Sequence, residues 1–176
     1  MAELKFKIHP LFIIFGIYFA VMGKVFSFIV YTLSAVIHEL GHFFESEKLG
    51  YGLNKIVLMP YGALISGDIE NVRYVDEIKI AASGPLVNLF IAAFCVAIWW
   101  LIPDLYPYTD LIVTANLSIA IINALPCYPL DGGRVLLATL SLFVRRSKAK
   151  KIVKILILGV FIYFEDKNAK FTENFF

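Results

Sequence analysis

Charge is scarce in this 176-residue chain, and the places it is missing are informative. Residues 11–37 hold one charged side chain, Lys24, and residues 103–110 hold no Lys or Arg. Only 17% of residues are charged while 60% are hydrophobic, and the mean hydropathy is +0.78. Soluble domains are about 45–50% apolar. An ordinary water-soluble domain is therefore excluded, and the composition points to one membrane-embedded bundle. A net charge of +2, with the basic residues scattered or set beside apolar runs, argues against a nucleic-acid partner. The two cysteines, Cys95 and Cys127, both sit in apolar surroundings and exclude a disulfide framework. No small-residue cleavage site follows a short apolar core near the N-terminus, so the first apolar run reads as a retained span. Internal repeats and low-complexity linkers are also lacking.

What is present is a series of apolar runs. A spanning helix needs about 20 mostly apolar residues. Candidate spans fall at 8–22, 25–45, 77–102 and 152–164, the first and last of them short. Between the second and third, KIVLMPYGALISGD is β-branched, interrupted by Pro60, Tyr61 and Gly62, and reads as a β-hairpin. Residues 68–79 read as polar surface. The stretch 111–144 is ambiguous, because PCYPLDGG cannot be helical throughout. Cytoplasmic loops carry an excess of Lys and Arg. Placing Lys5, Lys7, Lys48, Lys55 and the run RRSKAKK (145–151) on one side requires 111–144 to cross once. The expected fold is an all-α polytopic membrane protein of about five spans, with a small membrane-associated hairpin and a broken fourth helix, whose unwound part lines protein or a wet cavity. Residues 1–164 form the core in this reading, and 165–176 a polar, disordered tail.

Against that apolar background, AVIHELGHFF stands out. His38 and His42 are four residues apart, which puts both rings on one face of a helix. This spacing suits two imidazole ligands of one zinc ion, with Glu39 free to serve as general base. The competing explanation is a pair of histidines bonding between helices. An ionisable residue inside a membrane costs about 3 kcal/mol on insertion scales, so three within two turns favour function. Gly41, lacking a side chain, lets another backbone approach that face. A catalytic zinc takes a third protein ligand and keeps one position for water. Asp131, in PLDGG, is the favoured third ligand; it could also cap the following helix, and Cys127 is its rival. His9 reads as interfacial, Asn88 and Asn116 as interhelical hydrogen-bonders of modest weight, and Asn123 as a polar group just before the break.

In order, HELGH, LMPYGALISGD, AASGPLVN and NALPCYPLDGGR resemble the site-2 protease family of intramembrane zinc metalloproteases (peptidase M50), over roughly residues 8–145. KIHPLF, with no inserted PDZ domain, is most similar to the sporulation branch, which processes a membrane-tethered pro-sigma factor. The resemblance implies zinc on His38, His42 and Asp131 and water activation by Glu39. It also implies substrate contacts at Asn123 and Pro129 and a docking edge around Tyr61 and Gly62. The implied partners are a membrane-tethered protein substrate, a lipid bilayer, a membrane regulator and further copies of the chain. The implied location is a bacterial inner or forespore-type membrane. The sequence departs from the family in lacking a sixth span and a CBS domain. Two other functions stay open: a zinc-binding protein that holds a client without cutting it, and a metal or proton transporter. The absence of an inverted repeat argues against the transporter.

Overall fold

The computed structural model describes residues 5–8, 10–51, 53–59, 62–67 and 72–173. In chain order they form β1 (Lys5–Ile8), α1 (Pro10–Val21), α2 (Val25–Lys48), β2 (Leu53–Met59), β3 (Gly62–Gly67), α3 (Tyr74–Leu101), α4 (Tyr106–Ala124), α5 (Asp131–Ser141) and α6 (Arg146–Glu173). A 3-10 turn, Pro103–Leu105, joins α3 to α4. Among the described residues, three segments are long and apolar enough to cross a membrane: α2, α3, and Pro103–Ala124, which combines that turn with α4. At 12 and 11 residues, α1 and α5 are shorter than the about 20 a crossing needs. The protein is a predominantly helical, multi-pass membrane protein.

The ends of the helices follow from local chemistry. α2 stops where Gly50 turns left-handed at φ 85°, a conformation that costs glycine little. Ser46 Oγ then donates to Tyr51 O at 2.6 Å and holds the exit. α3 opens with Asp76 and Glu77, whose charge suits the positive end of a helix dipole. Both carboxylates are buried, so these two residues depart from the polar surface expected of 68–79, while Arg73 and Lys79 are exposed as expected. Tyr51 Oη donates to Asp76 Oδ2 at 2.8 Å and Arg73 Nε donates to the same oxygen at 2.7 Å. Glu77 takes a two-pronged pair from Arg146, at 2.7 and 3.0 Å, which ties the start of α6 to the start of α3. α6 then runs on to Glu173, so both RSKAKK and residues 165–173 enter one helix. Their Lys, Ala and Glu residues are good helix formers.

The interior of the bundle is polar and small while its outside is greasy. α3 packs against α2, α4 and α5. Its contacts bury Ala81, Ala92, Ala115 and Ala120, and with them Ser34, His38, His42, Asn88, Asn116 and Asp131. Phe26, Phe90 and Trp100 face outward, with Trp100 87% exposed. Where the solvent is lipid, apolar side chains gain nothing by turning inward. Close backbone approach and hydrogen bonds hold the helices instead. Gly41 shows the approach: a Cβ there would stand 3.0 Å from Ser83 O and 3.2 Å from Gly84 Cα. A separate apolar cluster of Leu137, Ala149 and Val153 joins α5 to α6.

The strands form one sheet in the order β1-β2-β3. β1 runs parallel to β2 with Phe6 opposite Ile56, and β3 runs antiparallel with Gly62 opposite Met59. His9, Pro60 and Tyr61 lie outside the described residues, so the docking role expected of Tyr61 does too.

Candidate metal centre

Two turns of α2 and the first residue of α5 meet against α3. Val30, Ser34, His38, Gly41 and His42 form a buried stripe on α2 at helical spacing. His38 and His42 are 3% and 4% exposed, and their rings meet edge to face with centroids 4.8 Å apart. They have room because residue 84 is glycine. A Cβ there would lie 2.4 Å from His42 Nε2 and 2.8 Å from His38 Nε2.

Asp131 reaches the same point from the other side. α4 ends at Ala124, residues 125–130 form a turn with a cis Tyr128–Pro129 bond, and α5 begins at Asp131. Gly132 and Gly133 let that turn close. A Cβ on Gly132 would stand 2.1 Å from Ala124 O, and one on Gly133 would stand 2.4 Å from Tyr128 N. The N-cap position is Leu130, and no side chain caps α5, so Asp131 is not spent on capping. Its Oδ2 lies 2.9 Å from His38 Nε2 and 3.1 Å from His42 Nε2, while Oδ1 accepts from Arg134 Nη1 at 3.4 Å.

The far nitrogens of the rings decide what these contacts can be. His42 Nδ1 is 2.6 Å from Ile80 O, and a carbonyl only accepts, so Nδ1 carries the hydrogen. His38 Nδ1 donates to Asn88 Oδ1 at 2.8 Å. In the neutral rings both Nε2 atoms are therefore bare lone pairs, 3.2 Å apart and facing a carboxylate oxygen. Three donors without a hydrogen among them repel one another unless a cation sits between. Two ligands bound at about 2.0–2.1 Å to one tetrahedral ion stand roughly 3.4 Å apart. The residues present fit a metal ion, and a ring nitrogen bonded to a carbonyl behind each ligating nitrogen is the usual second layer of such a site.

The other expected residues are distributed around this point. Glu39 is half-buried, interacts electrostatically with His42, His38, Asp131 and Arg134, and makes no hydrogen bond among the described residues. Cys127 is half-buried in the turn, outside the His38, His42 and Asp131 group. Asn123 donates to Ile119 O one turn back in α4 at 3.0 Å, and Pro129 is exposed. Gly62 opens β3 opposite Met59. Sequence reasoning missed the Ile80 carbonyl, which carries no residue-type signal, and undervalued Asn88. A lone amide inside the apolar run PLVNLFIAAF was the available clue.

Fold and site together define a membrane-embedded protein with a candidate two-histidine, one-carboxylate metal centre. The chain belongs to peptidase family M50, which it matches over residues 26–104 and 104–164. It is 35% identical over 129 residues to a zinc metalloprotease of Methanocaldococcus jannaschii, covering 71% of this chain and 37% of that protein. It is 28% identical over 153 residues to stage IV sporulation protein FB of Bacillus subtilis, covering 85% and 52%. The chain thus spans about half the length, or less, of these two relatives. Among solved structures, the site-2 protease of Methanocaldococcus jannaschii superposes with a TM-score of 0.69 at 28% identity, covering 89% of this chain and 76% of that one.

Proposed function

We propose that this chain is the catalytic core, over residues 1–164, of a zinc-dependent intramembrane endopeptidase. In this reading it cleaves a peptide bond in or near the membrane segment of a tethered regulatory protein, a pro-sigma factor in the sporulation branch. His38, His42 and Asp131 would hold the zinc. The observation that carries this is the convergence of two bare imidazole nitrogens and one carboxylate oxygen, each within about hydrogen-bond distance of the others, beside the helix that carries Glu39. When bound, the zinc supplies Lewis acidity for activating water and polarising a carbonyl. Glu39 takes the proton from the attacking water and hands it to the departing amine. Its lack of a hydrogen bond among the described residues supports that role, because a base already committed to a partner would have to break away first. Arg134 neutralises the second oxygen of Asp131 and leaves Oδ2 for the metal.

A helical substrate hides its peptide bonds and must be drawn out to be cut. β2 is flanked on both sides, so β1 and β3 are the sheet edges, and β3 around Gly62 is the edge on which an extended segment would add as a strand. Asn123 and Pro129, on the rim of the turn that brings in Asp131, would contact the unwound segment. We assign about five crossings, with 111–144 crossing once, and a bacterial inner or forespore-type membrane. The test is purified chain with candidate tethered substrates, with and without chelator. Cleavage abolished by chelator and restored by zinc supports the reading; bound zinc with no cleavage of any client points instead to a protein that holds without cutting.

A further inference from the structure

The two imidazoles are set by different means. His42 is fixed by a main-chain carbonyl, Ile80 O, which no side-chain rotation can reverse. His38 faces an amide, Asn88, and an amide has two ends. If Asn88 turned its NH2 toward His38, Nδ1 would have to accept, the hydrogen would move to Nε2, and Nε2 could not bind a metal.

The surroundings of Asn88 choose the end. Its Nδ2 donates to Ser34 O at 3.2 Å and to Asn116 Oδ1 at 2.7 Å. Asn116 is itself held one way round, because its Nδ2 donates to Ile112 O at 2.9 Å as well as to Ser34 Oγ at 3.0 Å. Two backbone carbonyls that can only accept therefore define both amides. The sequence Ile112 O, Asn116, Asn88, His38 Nδ1 reads in one direction only. Asn88 and Asn116 are 0% and 1% exposed, so no water competes for their bonds. Buried interhelical hydrogen bonds in membranes average only about 0.6 kcal/mol, which makes stability a weak explanation for placing two adjoining amides here.

We propose that Asn116 and Asn88 form an amide relay that holds His38 in the tautomer whose Nε2 is free to bind a metal ion; both are positioning residues, and the inference rests on the zinc reading above. Asn116 makes no hydrogen bond to His38, His42 or Asp131, so an effect of Asn116 on metal affinity is diagnostic. Asn116→Leu and Asn116→Asp both remove the amide N–H groups that face Ile112 O and Ser34 Oγ. Only Leu also removes the oxygen that receives Asn88 Nδ2. A role in packing alone weakens metal binding equally in the two variants. The relay weakens it in Leu and leaves Asp close to wild type.

The experiment measures zinc affinity of the full chain in detergent or nanodiscs by chelator competition, together with 15N-histidine spectra of the zinc-free protein that report which nitrogen of His38 carries hydrogen. Asn116→Leu is expected to lose affinity about 10-fold or more, the range seen when an outer partner of a ligand is removed. It is also expected to lose the hydrogen-bonded Nδ1–H signal of His38, and Asn116→Asp to keep both. Asn88→Leu against Asn88→Asp repeats the comparison one step nearer the ring, should Asn116→Leu fail to fold. Equal losses within either pair, or an unchanged His38 signal in the Leu variants, overturn the relay. Wild-type chain that binds no zinc overturns the zinc reading itself, a separate result.

Discussion

Replacing Gly84 by alanine adds one methyl group at the most crowded point of the site. That Cβ would lie 2.4 Å from His42 Nε2, 2.5 Å from His42 Cε1 and 2.8 Å from His38 Nε2. Carbon and nitrogen in ordinary contact stand roughly 3.4 Å apart, so the His42 ring must retreat by about 1 Å or α3 must back away from α2. A metal site tolerates ligand displacements of about 0.2 Å. The expected result is loss of high-affinity zinc, since His42 leaves outright and His38 is crowded as well. The fold should suffer much less. Overpacking costs about 1–3 kcal/mol, while Gly to Ala in a helix regains up to about 1 kcal/mol. Gly41→Ala is the internal control. Its nearest neighbours would lie at 3.0–3.2 Å and include no ligand atom, so it should loosen α2 from α3 by tenths of an ångström and lower zinc affinity far less. Zinc content and thermal unfolding on the same preparations separate the two effects. Gly84→Ala protein that unfolds normally and binds zinc as tightly as wild type would refute the packing of both rings against α3.

Other perturbations test other parts of the site. Glu39→Gln should keep about one zinc per chain and lose about 10²–10⁴-fold in cleavage while still capturing uncut client, since it removes a base and not a ligand; zinc loss in this variant would make Glu39 a ligand. Asp131→Asn should strip the metal and Cys127→Ala should leave it, measured by zinc content after dialysis; metal that follows Cys127 would redraw the ligand set. Cysteines placed at Lys48 and Ser147 should label from the same side of the membrane if 111–144 crosses once, and opposite labelling would end that topology.

Much of this was legible in the residues because the chemistry was expensive for its surroundings. Two histidines and a glutamate in an apolar helix need a reason, and four-residue spacing supplies a geometric one. The break before Asp131 was legible because two prolines and a glycine pair cannot continue a helix, and the structure puts it at residues 125–130. Less legible was anything that depends on what a segment meets. Asp76 and Glu77 look like surface charges until Tyr51, Arg73 and Arg146, up to 69 positions away, arrive to cover them. Asn88 looked like ordinary glue because the ring it serves lies 50 positions earlier on another helix. Gly84 carried no sign that its missing side chain makes space for both imidazoles, since a glycine beside Pro85 suggests a kink first.

The arrangement makes the third candidate ligand conditional in a way the first two are not. His38 and His42 sit in one continuous helix and keep their spacing wherever α2 goes. Asp131 belongs to an 11-residue helix, roughly 16 Å long, that enters from a turn and is too short to be held by its own hydrogen bonds. It must be held by its neighbours at both ends. At its start, Gly132 and Gly133 press the turn onto the end of α4, and Oδ2 of Asp131 faces the imidazoles. Beyond its end, Arg146 clamps Glu77 of α3 with two bonds and lies 5.5 Å over the Tyr74 ring. Along its length, Leu137 meets Ala149 and Val153 of α6. The candidate ligand set is therefore complete only when α5 and the start of α6 are docked on α3, and its integrity would report on that docking.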